Sequence, residues 1–77
     1  MAFDYIAETK ALISSLTVEG LNEEARKLQE SMDGASTGGE LLFRVRFALE
    51  SIVKDSVSET AVARIKKLLD GVNALLK

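Results

Sequence analysis

The chain has 77 residues and contains no cysteine, no histidine and no proline, and only five glycines. The lack of cysteine excludes disulfides, thiolate chemistry and zinc–thiolate sites. The lack of histidine removes the usual general base and the commonest metal ligand. The scarcity of proline and glycine argues against a turn-rich β-sandwich. We therefore expect a non-enzymatic protein with no catalytic, cofactor-binding or metal-binding residues, and with no cofactor.

The sequence also lacks a strong charge of either sign and any long apolar run. Its net charge is -2 and its pI is near 5.0, which makes nucleic acid an unlikely main partner. No segment approaches the ~18 apolar residues of a membrane span. Asp4 and Glu8 stand where a signal peptide would carry basic residues. We expect a cytoplasmic protein that does not contact a membrane.

Apolar residues make up 47% of the chain and charged residues 29%, a composition typical of a globular protein. Four segments, at about 4–16, 18–32, 38–54 and 57–76, repeat their apolar residues every three to four positions. The short connections between them favour antiparallel neighbours. The sequence therefore predicts a single all-α domain over residues 1–77, a compact four-helix fold in which the third and fourth helices supply most of the core.

Capping residues set the predicted ends of the first two helices. Asp4 is the expected N-cap of the first, and Thr17 that of the second, with Gly20 weakening its first turn. Asp33-Gly34 is expected to end the second helix, with Gly34 in the left-handed conformation.

Two further segments have the spacing of a capping box, in which a hydroxyl and a carboxylate satisfy each other's free amides. Thr37-Gly38-Gly39-Glu40 precedes the third helix, and Ser56-Val57-Ser58-Glu59 precedes the fourth. An anion site at the first of these is disfavoured because Glu40 would place a negative charge there.

The first, second and fourth helices each have one apolar face. The first helix has Tyr5, Ile6, Leu12, Ile13 and Leu16; the second has Val18, Leu21, Ala25, Leu28 and Met32; the fourth has Ala61, Val62, Ile65, Leu68, Leu69, Val72, Leu75 and Leu76. The stripe of the second helix is narrow, which predicts a helix that buries one edge only.

The third helix is apolar on two sides. Its larger face comprises Leu41, Leu42, Val45, Ala48, Leu49 and Ile52. Phe43 and Phe47 lie nearly opposite. Either neighbouring helices wrap the whole circumference, or the second side meets a partner. Glu50 and Lys54 make that side polar further on, which favours a partner contact through Phe43, Phe47 and Glu50, most simply with a second copy of the chain.

Charge is divided unevenly along the chain. Up to Glu40, eight acids and three bases give -5; after it, four acids and seven bases give +3, for the total of -2. The two halves could neutralise each other where they pack. Alternatively, acidic residues of the second helix could steer a basic partner protein. The candidate steering residues are Glu19, Glu23, Glu24, Glu30 and Asp33.

A stretch of about 30 residues resembles small helical bacterial immunity-type proteins. The matching order is Gly20-Leu21, Ala25, Leu28, Ser36-Thr37-Gly38-Gly39-Glu40, Leu41-Leu42, Val45-Arg46 and Leu49. The resemblance implies an inhibitor of a bacterial toxin, and it transfers no catalytic residue.

The sequence thus favours a self-associating protein-interaction module. The alternative is a regulatory or nucleic-acid-associated accessory protein that uses the basic residues of the second half, Arg44, Arg46, Arg64, Lys66 and Lys67.

The capping box at the third helix gives a first test. Replacing Thr37→Ala removes an N-cap oxygen and should lower the free energy of unfolding by about 0.5–2 kcal/mol. Thermal denaturation followed by circular dichroism measures this. An unchanged melting temperature would mean that the third helix begins elsewhere.

Overall fold

The structure is a computed structural model that describes residues 3–55 and 58–76. Its helices are α1 (Tyr5–Val18), α2 (Asn22–Asp33), α3 (Gly38–Asp55) and α4 (Glu59–Leu75). They form a compact globule of 29 × 25 × 21 Å. The predicted fold class, an all-α four-helix fold with short connections, is confirmed.

The helices form a ring in which each contacts its neighbours in sequence and α1 also contacts α4. The hydroxyl of Tyr5 donates to the carbonyl of Gly38 at 3.3 Å, which brings the beginnings of α1 and α3 to the same end. Near the other end of α1, Glu19 lies 4.0 Å from Arg64 in the first half of α4. The ring of Phe3, just before α1, lies against Gly71 in the second half of α4, so α1 and α4 run antiparallel.

The core occupies the centre of the ring. Among the described residues it contains Leu12, Leu16, Ala25, Leu28, Val45, Ala48, Leu49, Ile52, Ala61, Ile65, Leu68 and Val72. Eight of these twelve side chains belong to α3 and α4, so these two helices do supply most of the core.

The boundary between α1 and α2 differs from the prediction. The predicted N-cap Thr17 instead lies inside α1, where its hydroxyl donates to the carbonyl of Ile13 at 2.9 Å. Gly20 has φ +82° and ends α1: its amide donates to Thr17 at 3.1 Å, and the amide of Leu21 donates to Leu16 at 2.8 Å. This pair of bonds is a Schellman motif, which a glycine in the left-handed region permits.

As a result, α2 begins at Asn22 and not at Val18. Val18 is on α1, where it is 87% exposed, so its expected place on the apolar stripe of α2 is wrong. The rest of that stripe is as expected, with Ala25 and Leu28 buried and Leu21 and Met32 half-buried against the core.

α2 ends where the sequence predicts, but the glycine that follows it does not have the predicted conformation. The helix ends at Asp33, yet Gly34 has φ -82°, in the right-handed region. A Cβ at Gly34 would collide with the guanidinium of Arg44, so a glycine here leaves room for that side chain.

Three side-chain caps start the other helices. Asp4 accepts from the amide of Ala7 at 3.1 Å, as predicted. Thr37 accepts from the amide of Glu40 at 3.1 Å, the first half of its predicted capping box. At α4 the cap is Ser58, which accepts from the amide of Ala61 at 3.2 Å. The predicted cap Ser56 and the predicted helix start Val57 lie outside the described residues, and the described helix begins at Glu59.

One polar side chain replaces an expected apolar one in α1. Thr9 is buried and its hydroxyl donates to the carbonyl of Tyr5 at 2.6 Å, whereas Ile6 is exposed. Thr9 lies between Tyr5 and Leu12 on the inward stripe, and Ile6 lies about 100° away from Tyr5 around the helix. The backbone acceptor offsets the cost of burying the hydroxyl.

Gly20 and Gly39 provide a matched pair of substitutions, because a Cβ at either position meets no neighbouring atom within 4 Å. Gly20→Ala must adopt a left-handed conformation and should lower the free energy of unfolding by about 1–2 kcal/mol. Gly39→Ala lies in the first turn of α3 and should raise it by up to about 1 kcal/mol. Chemical denaturation measures both. Equal effects would show that α1 does not end at Gly20 in the way described.

Candidate protein-interaction surface

Both phenylalanines of α3 point away from the core. Phe43 is 59% exposed and Phe47 is 74% exposed, while Val45, Ala48, Leu49 and Ile52 on the opposite side are buried. Neighbouring helices therefore do not wrap this side of α3. Exposed aromatic rings on adjacent helical turns form the kind of apolar patch that marks an interaction site.

The rings belong to a longer stripe, which we call the α3 outer face and define as Glu40, Phe43, Phe47, Glu50 and Lys54. These residues alternate by three and four positions, the spacing of one seam of a coiled coil. Glu50 is half-buried and lies 3.8 Å from Arg46 on the same helix. The face thus has an acid at its start, two rings at its centre, and a second acid followed by a base at its end.

A groove runs along each side of this stripe. The α2–α3 groove has a volume of about 450 Å³ and is lined by Ser31, Glu40, Phe43, Arg44 and Phe47. The α3–α4 groove has a volume of about 570 Å³, and its lining includes Phe47, Ser51 and Leu69. Because Phe47 borders both grooves, its ring forms a ridge between two depressions.

Arg44 fixes the wall of the α2–α3 groove. Its Nε donates to the carbonyl of Ser31 at 2.8 Å, and Nη2 donates to the carbonyl of Glu30 at 3.5 Å. These carbonyls belong to the last turn of α2, where partial negative charge favours a cation. Arg44 therefore ties the end of α2 to α3 beside Phe43.

The predicted steering residues are exposed or half-exposed on α2 and at its approach, but several already have partners. Arg26 lies 2.7 Å from Glu23 and 3.4 Å from Glu30. The hydrogen bond that Arg26 donates to Glu23, together with the charges of the Glu23 and Glu30 carboxylates, raises the pKa of Arg26 above its ordinary value. Gln29 donates to Asp33 at 2.9 Å. Because the charge of Arg26 offsets those of Glu23 and Glu30, the electrostatic potential that the five acids produce at a distance is reduced. Steering of a basic partner by these acids stays a prediction.

The basic residues of the second half do not form one patch. Arg44 caps α2, Arg46 lies beside Glu50, and Arg64 lies near Glu19. Lys66 and Lys67 are exposed on α4. These five basic residues are thus divided between α3 and α4. Three of them, Arg44, Arg46 and Arg64, already face carboxylate or carbonyl oxygens.

A third groove lies between α1 and α4, with a volume of about 510 Å³. Its apolar floor includes Leu12 and Leu68, and Arg64 and Lys67 border it. The ring of Phe3 covers Gly71 at one end, where a Cβ would come within 2.6 Å of Cζ. Sequence periodicity gave no signal for this groove, because it depends on how two helices lie together.

Within residues 3–55 and 58–76, no three acidic side chains converge in a way that could hold a metal ion. Nor does any helix there combine the length and the apolar character needed to cross a bilayer.

Comparison of the chain with protein-family models, with curated proteins and with solved structures finds no match. The resemblance of residues 20–49 to immunity-type proteins therefore stays a hypothesis from the sequence.

The tie between Arg44 and α2 can be tested on stability. Arg44→Ala should lower the free energy of unfolding by about 0.5–1.5 kcal/mol, because two carbonyls at the end of α2 lose a charged donor. The matched control Arg46→Ala removes only an exposed ion pair within one helix and should change it by less than about 0.5 kcal/mol. Chemical denaturation at a protein concentration low enough to keep each variant monomeric measures both effects without a contribution from association. Equal effects of the two substitutions would contradict a role of Arg44 in capping α2.

Proposed function

We propose that this protein is a non-enzymatic interaction module that associates with a second copy of itself through the α3 outer face. The observation that carries the proposal is the exposure of Phe43 and Phe47, at 59% and 74%, on a helix whose opposite side builds the core. Burying a phenylalanine side chain stabilises a complex by about 1.5–3 kcal/mol relative to leaving it in water.

The position of the rings supports a binding role over chance exposure. They are four residues apart on the longest helix, which is held on both sides by α2 and α4. A face on a packed helix is rigid before binding, so little conformational entropy is lost when it meets a partner. The flanking grooves supply depressions into which rings of another surface can fit.

A second copy is the simplest partner because a two-fold contact uses the same patch twice. A chain of this size buries only about 60–65% of its unfolded surface. Association would add apolar burial to that modest core and would raise stability at high protein concentration.

The other functions derived from the sequence gain less support. A toxin inhibitor would use the acidic residues of α2, but Glu23 and Glu30 share Arg26, and Asp33 binds Gln29. A nucleic-acid accessory would use basic residues that are divided between α3 and α4. We therefore favour self-association through Phe43 and Phe47 over a toxin inhibitor and over a nucleic-acid accessory protein.

The test replaces both rings, Phe43→Ser with Phe47→Ser. The wild type should sediment with the mass of two chains, against 8.4 kDa for one, and the double variant with the mass of one. The variant should remain helical and unfold cooperatively, because neither ring lies in the core. Sedimentation equilibrium and thermal denaturation measure the two properties.

Val18→Ser serves as the control, since Val18 is exposed on α1 and lies outside the α3 outer face. It should leave the mass of two chains unchanged. A wild type that stays monomeric at every accessible concentration contradicts the proposal. Binding of duplex DNA that persists near 150 mM salt would instead favour the nucleic-acid alternative.

A further inference from the structure

The α3 outer face carries charges that constrain how two copies can meet. Phe47 lies seven residues after Glu40 and seven residues before Lys54. The three side chains therefore lie almost on one line along the helix. Each step is two turns, about 10.5 Å. An acid and a base thus stand at equal distances on either side of the Phe47 ring, and all three side chains are exposed.

Three two-fold arrangements place Phe47, the more exposed ring, against a ring of the second copy. If the two α3 helices run parallel, Glu40 faces Glu40 and Lys54 faces Lys54. If they run antiparallel about a point between Phe43 and Phe47, Glu40 faces Glu50 of the second copy. Both arrangements place like charges together, which is unfavourable.

The third arrangement is antiparallel with the two-fold axis at Phe47. Here Glu40 of each copy faces Lys54 of the other, and the two Phe47 rings meet on the axis. The arrangement pairs opposite charges twice and buries the rings at the centre. Coiled coils are built in the same way, with apolar residues in the seam and interhelical salt bridges beside it. We infer that a second copy docks in this register, an inference that rests on the proposed function.

In this register the α3–α4 groove lies where a ring of the second copy needs a depression. The α3–α4 groove lies beside the second half of α3, and its lining comprises Phe47, Glu50, Ser51, Val53, Lys54, Asp55 and, from α4, Leu69. In an antiparallel pair centred on Phe47, the first half of one α3 lies over the second half of the other. Phe43 of each copy therefore faces the α3–α4 groove of its partner, with the small side chain of Ser51 leaving space for the ring.

Charge reversal tests the pairing. Glu40→Lys alone and Lys54→Glu alone should each raise the dissociation constant of the dimer roughly 3- to 30-fold, because each turns two attractive contacts into repulsive ones. The double variant should return it to near the wild-type value. The effects of the single reversals should shrink as salt is added. Sedimentation equilibrium measures each constant.

Two matched reversals control for net charge. Glu8→Lys changes an acid in the first turn of α1, as Glu40→Lys does in α3, and Lys66→Glu changes an exposed base of α4. Both lie off the α3 outer face and should leave the dissociation constant within about 2-fold of the wild type. If the double variant Glu40→Lys with Lys54→Glu is weaker than either single one, the inferred register is wrong.

Cross-linking decides among the registers directly, because the chain has no cysteine of its own. Oxidation of a mixture of Glu40→Cys and Lys54→Cys chains should give a covalent heterodimer, while neither chain alone should cross-link. Cross-linking of Glu40→Cys with itself would instead show the parallel arrangement. Cross-linking of Glu40→Cys with Glu50→Cys would show the other antiparallel one.

These experiments separate self-association from its register. If Phe43→Ser with Phe47→Ser abolishes the dimer but charge reversal and cross-linking do not follow the expected pairs, the register is wrong and self-association stands. If the wild type is monomeric, both are wrong.

Discussion

The contact between the inner faces of α3 and α4 supplies the larger part of the core. Val45, Ala48, Leu49 and Ile52 are buried between the neighbouring helices, and α1 and α2 add only two buried apolar side chains each. α4 buries as many as α3, namely Ala61, Ile65, Leu68 and Val72, and it packs against α3. Truncating a leucine in such a position costs about 2–5 kcal/mol, a large part of the stability of a small domain. Because one side of α3 faces the core, the opposite side with Phe43 and Phe47 faces outward, and the geometry that builds the core also exposes the rings.

The features that could be predicted from the sequence are those that depend on spacing within one helix. The period of the apolar residues gave four helices and the division of α3 into two faces, and the hydrogen-bonding preferences of Asp4 and Thr37 placed two helix starts. Such signals need only the geometry of an isolated helix, in which residues three and four apart share a side. The Phe43 and Phe47 side of α3 belongs to this class, which is why sequence reasoning found it.

The features that were missed depend on competition or on tertiary contact. Thr17 is a good N-cap by chemistry, but Gly20 can adopt φ +82° and end α1 three residues later, so the hydroxyl bonds within α1 instead. Gly34 resembles a left-handed cap, yet its place is explained by the guanidinium of Arg44, which arrives from another helix. The grooves beside Phe47 likewise arise only once α2 and α4 lie against α3, and no local pattern encodes their shape.

Arg44 joins the interaction surface to the end of a different helix. Its guanidinium donates to carbonyls of Glu30 and Ser31, while its neighbour Phe43 stands on the outer face. Release of the Arg44 guanidinium would therefore free the carbonyls of Glu30 and Ser31 in the last turn of α2. Amide protons at that end of α2 should consequently exchange together with those of α3, as one cooperative unit, and a partner that immobilises α3 would slow exchange in a segment it never touches.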